Sequence, residues 1–143
     1  MPNRPIQQII EGRKLITAAP DMLVSDAAKL MRREQIGAVL VVSEGHLTGI
    51  FTERDALNRV IAEGLSPEAT KLVDVMTPDP ITLTPDHPIG HALHLMYENG
   101  FRHVPIAEGG RPVGMVSARD ALGLEVLEFE HEMQRREEIS EIL

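Results

Sequence analysis

A chain of 143 residues, 43% hydrophobic and 25% charged, has the composition of an ordinary globular protein and is long enough to bury one core or two small ones. A formal charge of −8 opposes general attraction to nucleic acid, and the absence of cysteine excludes disulfides and thiolate metal sites. No run of roughly eighteen apolar residues exists to span a membrane, and the opening "MPNRPIQQIIEGRK" lacks the apolar core and small-residue cleavage site of a secretion signal, so a cytoplasmic location is expected.

Residues 1–12 read as an N-terminal extension, 13–65 as a first structural unit, 66–78 as a linker, 79–128 as a second unit and 129–143 as a helical extension. In the first unit "SDAAKLMRREQ" offers Ser25 as a helix cap, with Ala27, Leu30 and Met31 at helical spacing. "AVLVV" predicts a buried strand, "SEGH" a turn and "LTGIF" a second strand. Thr52 then stands at the N-cap of "ERDALNRVIAEG", whose glycine is a stop signal. The linker "SPEATKLVDVMTPDP" contains three prolines and has room for a short helical piece. In the second unit "TPDHPIGHALHLMYENG" starts a helix, "RHVPIAE" and "PVGMVS" are strands joined across "GG", and Ser117 can cap the next helix. The terminal "LGLEVLEFEHEMQRREEISEIL" predicts an amphipathic helix, with Leu124, Leu127 and Phe129 continuing the core and Ile139, Ile142 and Leu143 available to a partner chain. "MRRE" and "QRRE" interleave arginine with glutamate and read as solvated helix faces. Phe51, Tyr97, Phe101 and Phe129 are too few for a base-stacking platform.

The two units are copies. Sliding the sequence by 65 positions places Thr17 on Thr82, Pro20 on Pro85, Asp21 on Asp86, Ala27 on Ala92, Leu30 on Leu95, Met31 on Met96, Gly49 on Gly114 and Asp55 on Asp120 without a slip. Each copy is a strand, helix, strand, strand, helix unit, an α/β (α+β) fold whose small sheet is poorly covered alone. Two copies can bury those faces against each other as a pseudo-symmetric pair with two equivalent clefts.

The strongest repeated tract is "GIFTERD" at 49–55 and "GMVSARD" at 114–120. Its glycine permits close backbone approach, its hydroxyl residue caps a helix, and the exposed amides of a helix start attract an anion. Asp55 and Asp120 can accept from the two hydroxyls of a ribose. A purely local reading stands beside this one: Thr52 and Ser117 only cap, and the aspartates only favour the positive helix end.

The tracts "IGAVLVVSEGHLTGIFTERD" and "FRHVPIAEGGRPVGMVSARD", preceded by "DMLVSDAAKLM" and "DHPIGHALHLM", resemble the paired CBS domains of a Bateman module over about residues 13 to 128. The resemblance implies two pseudo-symmetric β-α-β-β-α motifs packed through their small sheets, and an adenosine-nucleotide site in which the hydroxyl approaches phosphate and the carboxylate holds ribose. It thereby assigns Thr52 and Asp55 to one cleft and Ser117 and Asp120 to the other. It further points to Thr17, Ala18 and Ala38 as base-pocket residues of the first copy, and to Ile81, Thr82, His103, Val104 and Pro105 in the second. Arg102 and His103 replace Gly37 and Ala38, so the second cleft is expected to favour phosphate, with Arg119 as a third contact. The alternatives are that Arg102 faces solvent beside an acidic residue, and that Arg54 and Arg119 point to a partner subunit.

Competing constellations are weaker. His87, His91 and His94 approach one helical face, but His87 precedes Pro88 at the helix start and no fourth ligand is evident, so no metal site is assigned. His46 belongs to a turn and His131 to the terminal helix. No nucleophile with a base and orienting acid emerges, nor a phosphate loop, and no enzyme is expected. The resemblance implies a regulatory sensor of AMP, ADP or ATP, with magnesium as an expected aid to ATP, acting in trans on a protein target as a homodimer. Two other readings stay open: a ligand-independent dimerisation or adaptor module, and a site for another adenosyl ligand such as NAD or an S-adenosyl compound.

Overall fold

The alternating apolar residues of the two central hairpins decide the architecture. In a computed structural model describing residues 4–121 and 123–142, β1 (Thr17–Ala18), α2 (Val24–Glu34), β2 (Ala38–Ser43) and β3 (His46–Thr52) form the first repeat, after a short α1 (Ile6–Ile10). The chain then passes through α3 (Glu53–Asp55), a π-helical segment Ala56–Ile61, α4 (Leu72–Val75) and β4 (Thr77–Pro78). The second repeat follows with α5 (Ile89–Asn99), β5 (His103–Glu108), β6 (Arg111–Ser117), α6 (Ala118–Ala121) and α7 (Gly123–Ile142). Strand order is β1-β2-β3-β4 in one sheet and β5-β6 in the other.

The duplication extends to hydrogen-bond register. Ala38 pairs with Thr52 as His103 pairs with Ser117, and both hairpins carry a bulge at the same place, Val41/Val42 and Ile106/Ala107. The β1 pairing of Ala18 with Val41 recurs as a single parallel bridge between Leu83 and Ile106. Positive φ at Glu44 and Gly45, and at Gly109 and Gly110, gives each hairpin the two-residue turn that matches strand twist.

Because side chains alternate along a strand, each hairpin has two buried faces. Val39, Val41 and Phe51 face α2 and form one core with Ala27, Met31 and Val60, while Val104, Ile106 and Val116 form another with Ala92 and Met96. The opposite face of the first hairpin holds Ala38, Leu40 and Ile50, against which Met115 of the second packs. The chain is thus an α/β fold of two β-α-β-β-α repeats joined through their small sheets.

The connecting segments cross over. Leu72, Val75 and Met76 of the linker complete the first core, whereas Ile6, Ile9 and Ile10 of α1 complete the second. Hydrogen bonds repeat the exchange: Leu72 N donates to Met22 O and Val73 N to Pro20 O, as Ile6 N donates to His87 O and Gln7 N to Pro85 O. A five-residue helix has little stability in isolation, so burial of three isoleucines, each contributing on the order of 2 kcal/mol, holds α1 in place.

One expected helix feature differs. Ser25 does not cap α2; the helix starts at Val24 with Leu23 at the N-cap, and the amides of Val24 and Ser25 are taken by the carbonyls of Thr70 and Pro67. The linker has supplied the acceptors that a cap would supply. The terminal helix forms over Gly123–Ile142, and residues 131–139 are exposed in the single chain, with Ile139 55% exposed and so open to the partner contact expected of it. The side chains of Leu124, Leu127, Phe129 and Ile142, and Leu143 itself, lie outside the described residues.

Candidate functional site

Both repeats turn from strand into helix on a reciprocal capping pair. Asp55 N donates to Thr52 Oγ1 at 3.1 Å while Thr52 N donates to Asp55 Oδ2 at 3.0 Å. Ser117 N donates to Asp120 Oδ2 at 2.8 Å, and Asp120 N to Ser117 Oγ at 3.3 Å. The local capping role is therefore real at both sites. What separates them is the second carboxylate oxygen.

Asp55 is only 8% exposed, and its Oδ1 accepts from Thr77 Oγ1 at 3.4 Å and lies 3.6 Å from Arg59 Nε. Arg59 is itself anchored to Met76 O at 2.8 Å. This carboxylate is enclosed by the linker and turned into the fold. Asp120 Oδ1 instead meets Arg13 Nη2 at 2.9 Å, and the Arg13 side chain is 48% exposed. Burial alone would raise the Asp120 pKa, but the hydrogen bond and charge of Arg13 and the donors of Ser117 outweigh it and hold it below the ordinary carboxylate value. Arg13 is correspondingly raised, first by its hydrogen bond to Asp120.

A cleft of about 980 Å³ opens beside Asp120, between the repeats. Its cationic lining is Arg13, Lys14, Arg32, Arg102 and Arg119, against two acids, Glu53 and Asp120. Ile16, Ile36, Leu40 and Met115 give it an apolar wall. His103 also lines it; burial pushes the imidazole below the ordinary histidine value, against the opposing pull of Glu53 and Asp120, with Arg102 lowering it further. A positively lined, partly apolar cleft in a chain of net charge −8 is suited to an anionic ligand with an apolar ring.

Of the residues singled out from the sequence, Arg102, His103, Ser117, Arg119 and Asp120 come together at this cleft, and the others do not. Ala18, Ala38, Val104 and Pro105 are buried within the sheets, and Thr17, Ile81 and Thr82 are exposed outside the cleft lining. Thr52 and Asp55 close the first repeat's turn onto Thr77.

Grouping by copy also gives way to a composite arrangement. The Ser117–Asp120 turn is completed by residues 13–16 and 35–37 of the first repeat rather than by Ile81 and Thr82, because the segments flanking the repeats cross over. Gly37 thus sits opposite His103, whose Nε2 would lie 3.3 Å from an added Cβ. Sequence reasoning missed Arg13, Lys14 and Arg32. The first two had a readable signal: where "GRK" follows α1, the matching stretch after α4 is "TPDP", acidic rather than basic.

The three histidines do not converge. His87 Nδ1 is bound by Thr84 N at 3.1 Å, His94 Nε2 contacts Glu98 at 2.9 Å, and among the described residues no group of three His, Asp or Glu could hold a metal. No helix among them is long and apolar enough to cross a membrane.

A family model for the CBS domain matches residues 7–62 and again 72–126. The CBS domain-containing protein CBSX3, mitochondrial, of Arabidopsis thaliana is 40% identical over 120 residues, which cover 80% of this chain and 58% of that protein. A second protein of that plant, CBSCBSPB3, is 39% identical over 70% of this chain but only 18% of its own length, so the chain spans less than two thirds of either relative. Among solved structures, a CBS-domain containing protein from Agrobacterium tumefaciens is 29% identical with a TM-score of 0.77, covering 85% of this chain and 98% of that one.

Proposed function

We propose, from the premise that this chain belongs to the CBS domain family as a tandem pair, that it is a regulatory module binding AMP, ADP or ATP in the composite cleft and acting in trans on a partner protein. The observation that carries this reading is the collection of five cationic side chains around the Asp120 turn in an otherwise acidic chain. The carboxylate of Asp120 accepts from the ribose, the cations meet phosphate, and Ile16, Ile36 and Met115 cover the base. Calorimetry on nucleotide-stripped protein with AMP, ADP and ATP, each with and without magnesium, tests it. One strong site per chain is expected. Absence of heat and of competition up to millimolar nucleotide refutes the reading, while preference for NAD or an S-adenosyl compound would keep the adenosine contacts and change the ligand.

The adaptor alternative rests on exposed apolar residues of the helices, Leu57 at 57%, Ile61 at 65% and Tyr97 at 89%. These also support a homodimer as the working assembly of the sensor. Light scattering across the micromolar range should give the mass of two chains with or without nucleotide, and a monomer throughout would reject the assembly.

A further inference from the structure

We propose that Arg13 makes the cleft select phosphorylated adenosine over the free nucleoside, by occupying the Asp120 oxygen that a ribose needs and yielding it only to a ligand that brings an anion. The inference rests on the nucleotide reading of the cleft given above. Asp120 Oδ2 is already engaged by both the amide and the hydroxyl of Ser117, at 2.8 and 3.1 Å. Oδ1 is the remaining acceptor, and Arg13 Nη2 holds it at 2.9 Å. Oδ2 is thus filled by two donors, so the two hydroxyls of a ribose need both acceptor positions of Oδ1, and seating both displaces that guanidinium.

What happens next depends on the ligand. A nucleoside offers the displaced Arg13 no charge in exchange, so the lost ion pair is a net cost of binding. A nucleotide carries phosphate into a cleft that Arg13 also lines, and the guanidinium passes from carboxylate to phosphate with its charge still compensated. The half-exposed side chain has the freedom for this move. Its neighbour Lys14 is not equivalent, since it is paired with Glu34 at 3.1 Å and leaves Asp120 untouched. The first repeat has no such device: Asp55 is held by Thr77 and by Arg59, whose guanidinium is anchored to the linker carbonyls of Val75 and Met76.

The test compares the parent, Arg13→Gln and Lys14→Gln, as full chains stripped of nucleotide, in calorimetric titrations with adenosine and ATP, with weak adenosine binding read by competition. Arg13→Gln is expected to bind adenosine about threefold tighter, the scale of removing a partly exposed ion pair, and ATP about tenfold or more weaker, the scale of one charge-assisted hydrogen bond. Lys14→Gln is expected to weaken ATP without tightening adenosine. A shift of both ligands in the same direction in Arg13→Gln, or an unchanged adenosine-to-ATP ratio, overturns the role of Arg13 while leaving the nucleotide site standing. No binding of ATP to the parent overturns the site reading and this inference with it. Urea midpoints of the variants within the folded range establish that the comparison concerns the cleft.

Discussion

Replacing each capping aspartate by alanine separates the two repeats, and the outcome can be worked from the geometry. Asp55→Ala keeps the Thr52 Oγ1 cap, whose donor is the backbone amide of residue 55, but removes its reciprocal half and leaves the Thr52 amide, Thr77 hydroxyl and Arg59 guanidinium without their shared acceptor in an 8%-exposed position. Stranded donors of this kind cost about 1 to 3 kcal/mol, and a loss of that size is expected. Asp120→Ala likewise keeps the Ser117 Oγ cap and loses the reciprocal acceptor, but the Asp120 side chain is 19% exposed and its partner Arg13 is 48% exposed, so water takes over part of the loss. That ion pair adds no more than about 1 kcal/mol, so a smaller loss of about 1 kcal/mol is expected. Binding should show the reverse order: Asp120→Ala weakens adenine nucleotide about fivefold to a hundredfold, and folded Asp55→Ala binds as the parent does. Urea unfolding gives the first comparison and calorimetry well below the unfolding transition gives the second. Equal destabilisation together with equal loss of affinity would refute the division of labour between the two carboxylates.

Other consequences are accessible to the same measurements. Asp120 is held below its unfolded pKa of about 3.9, so it contributes stability above that pH and the contribution is lost as pH falls through the folded value; Asp120→Asn should flatten the acid limb of the stability curve below about pH 4. His103 is depressed by burial, so the unfolded chain takes up its proton first and stability falls as pH drops below about 6.5; His103→Gln should reduce the difference in urea midpoint between pH 7.5 and the mildly acid range. At Gly114 an added Cβ would stand 2.9 Å from Ile10 Cγ2 and 3.0 Å from Ile10 Cβ, so Gly114→Ala must shift α1 and should cost about 1 to 3 kcal/mol. Gly49→Ala meets the thioether of Met76, a flexible side chain, and should cost less. Thr52→Ala should lose about 1 kcal/mol and Ser25→Ala less than about 0.5 kcal/mol, since only the former caps a helix; similar losses in urea unfolding would contradict this assignment of caps.

The sequence by itself determined the features that depend on local spacing. Alternation in "AVLVV", the paired glycines of "GG" and the hydroxyl-to-aspartate interval are short-range instructions, and the structure realises them as β2, a tight hairpin turn and two capping turns. The 65-residue offset extended that legibility to the whole architecture, because two copies of one pattern meet the same backbone constraints and reach the same register and the same bulge. Only the tertiary structure decided which segments belong together. The capping of α2 by Thr70 and Pro67, the exchange of α1 and the linker between cores, and the meeting of Arg13 with Asp120 all join residues far apart in the chain. No periodicity encodes such contacts, because they arise when the apolar faces of α1 and α4 each find cover on the opposite repeat. The candidate cleft was therefore half readable: its turn, Ser117 to Asp120, follows from spacing along one strand and helix, whereas its basic wall from Arg13 to Lys14 exists only after the crossover has been made.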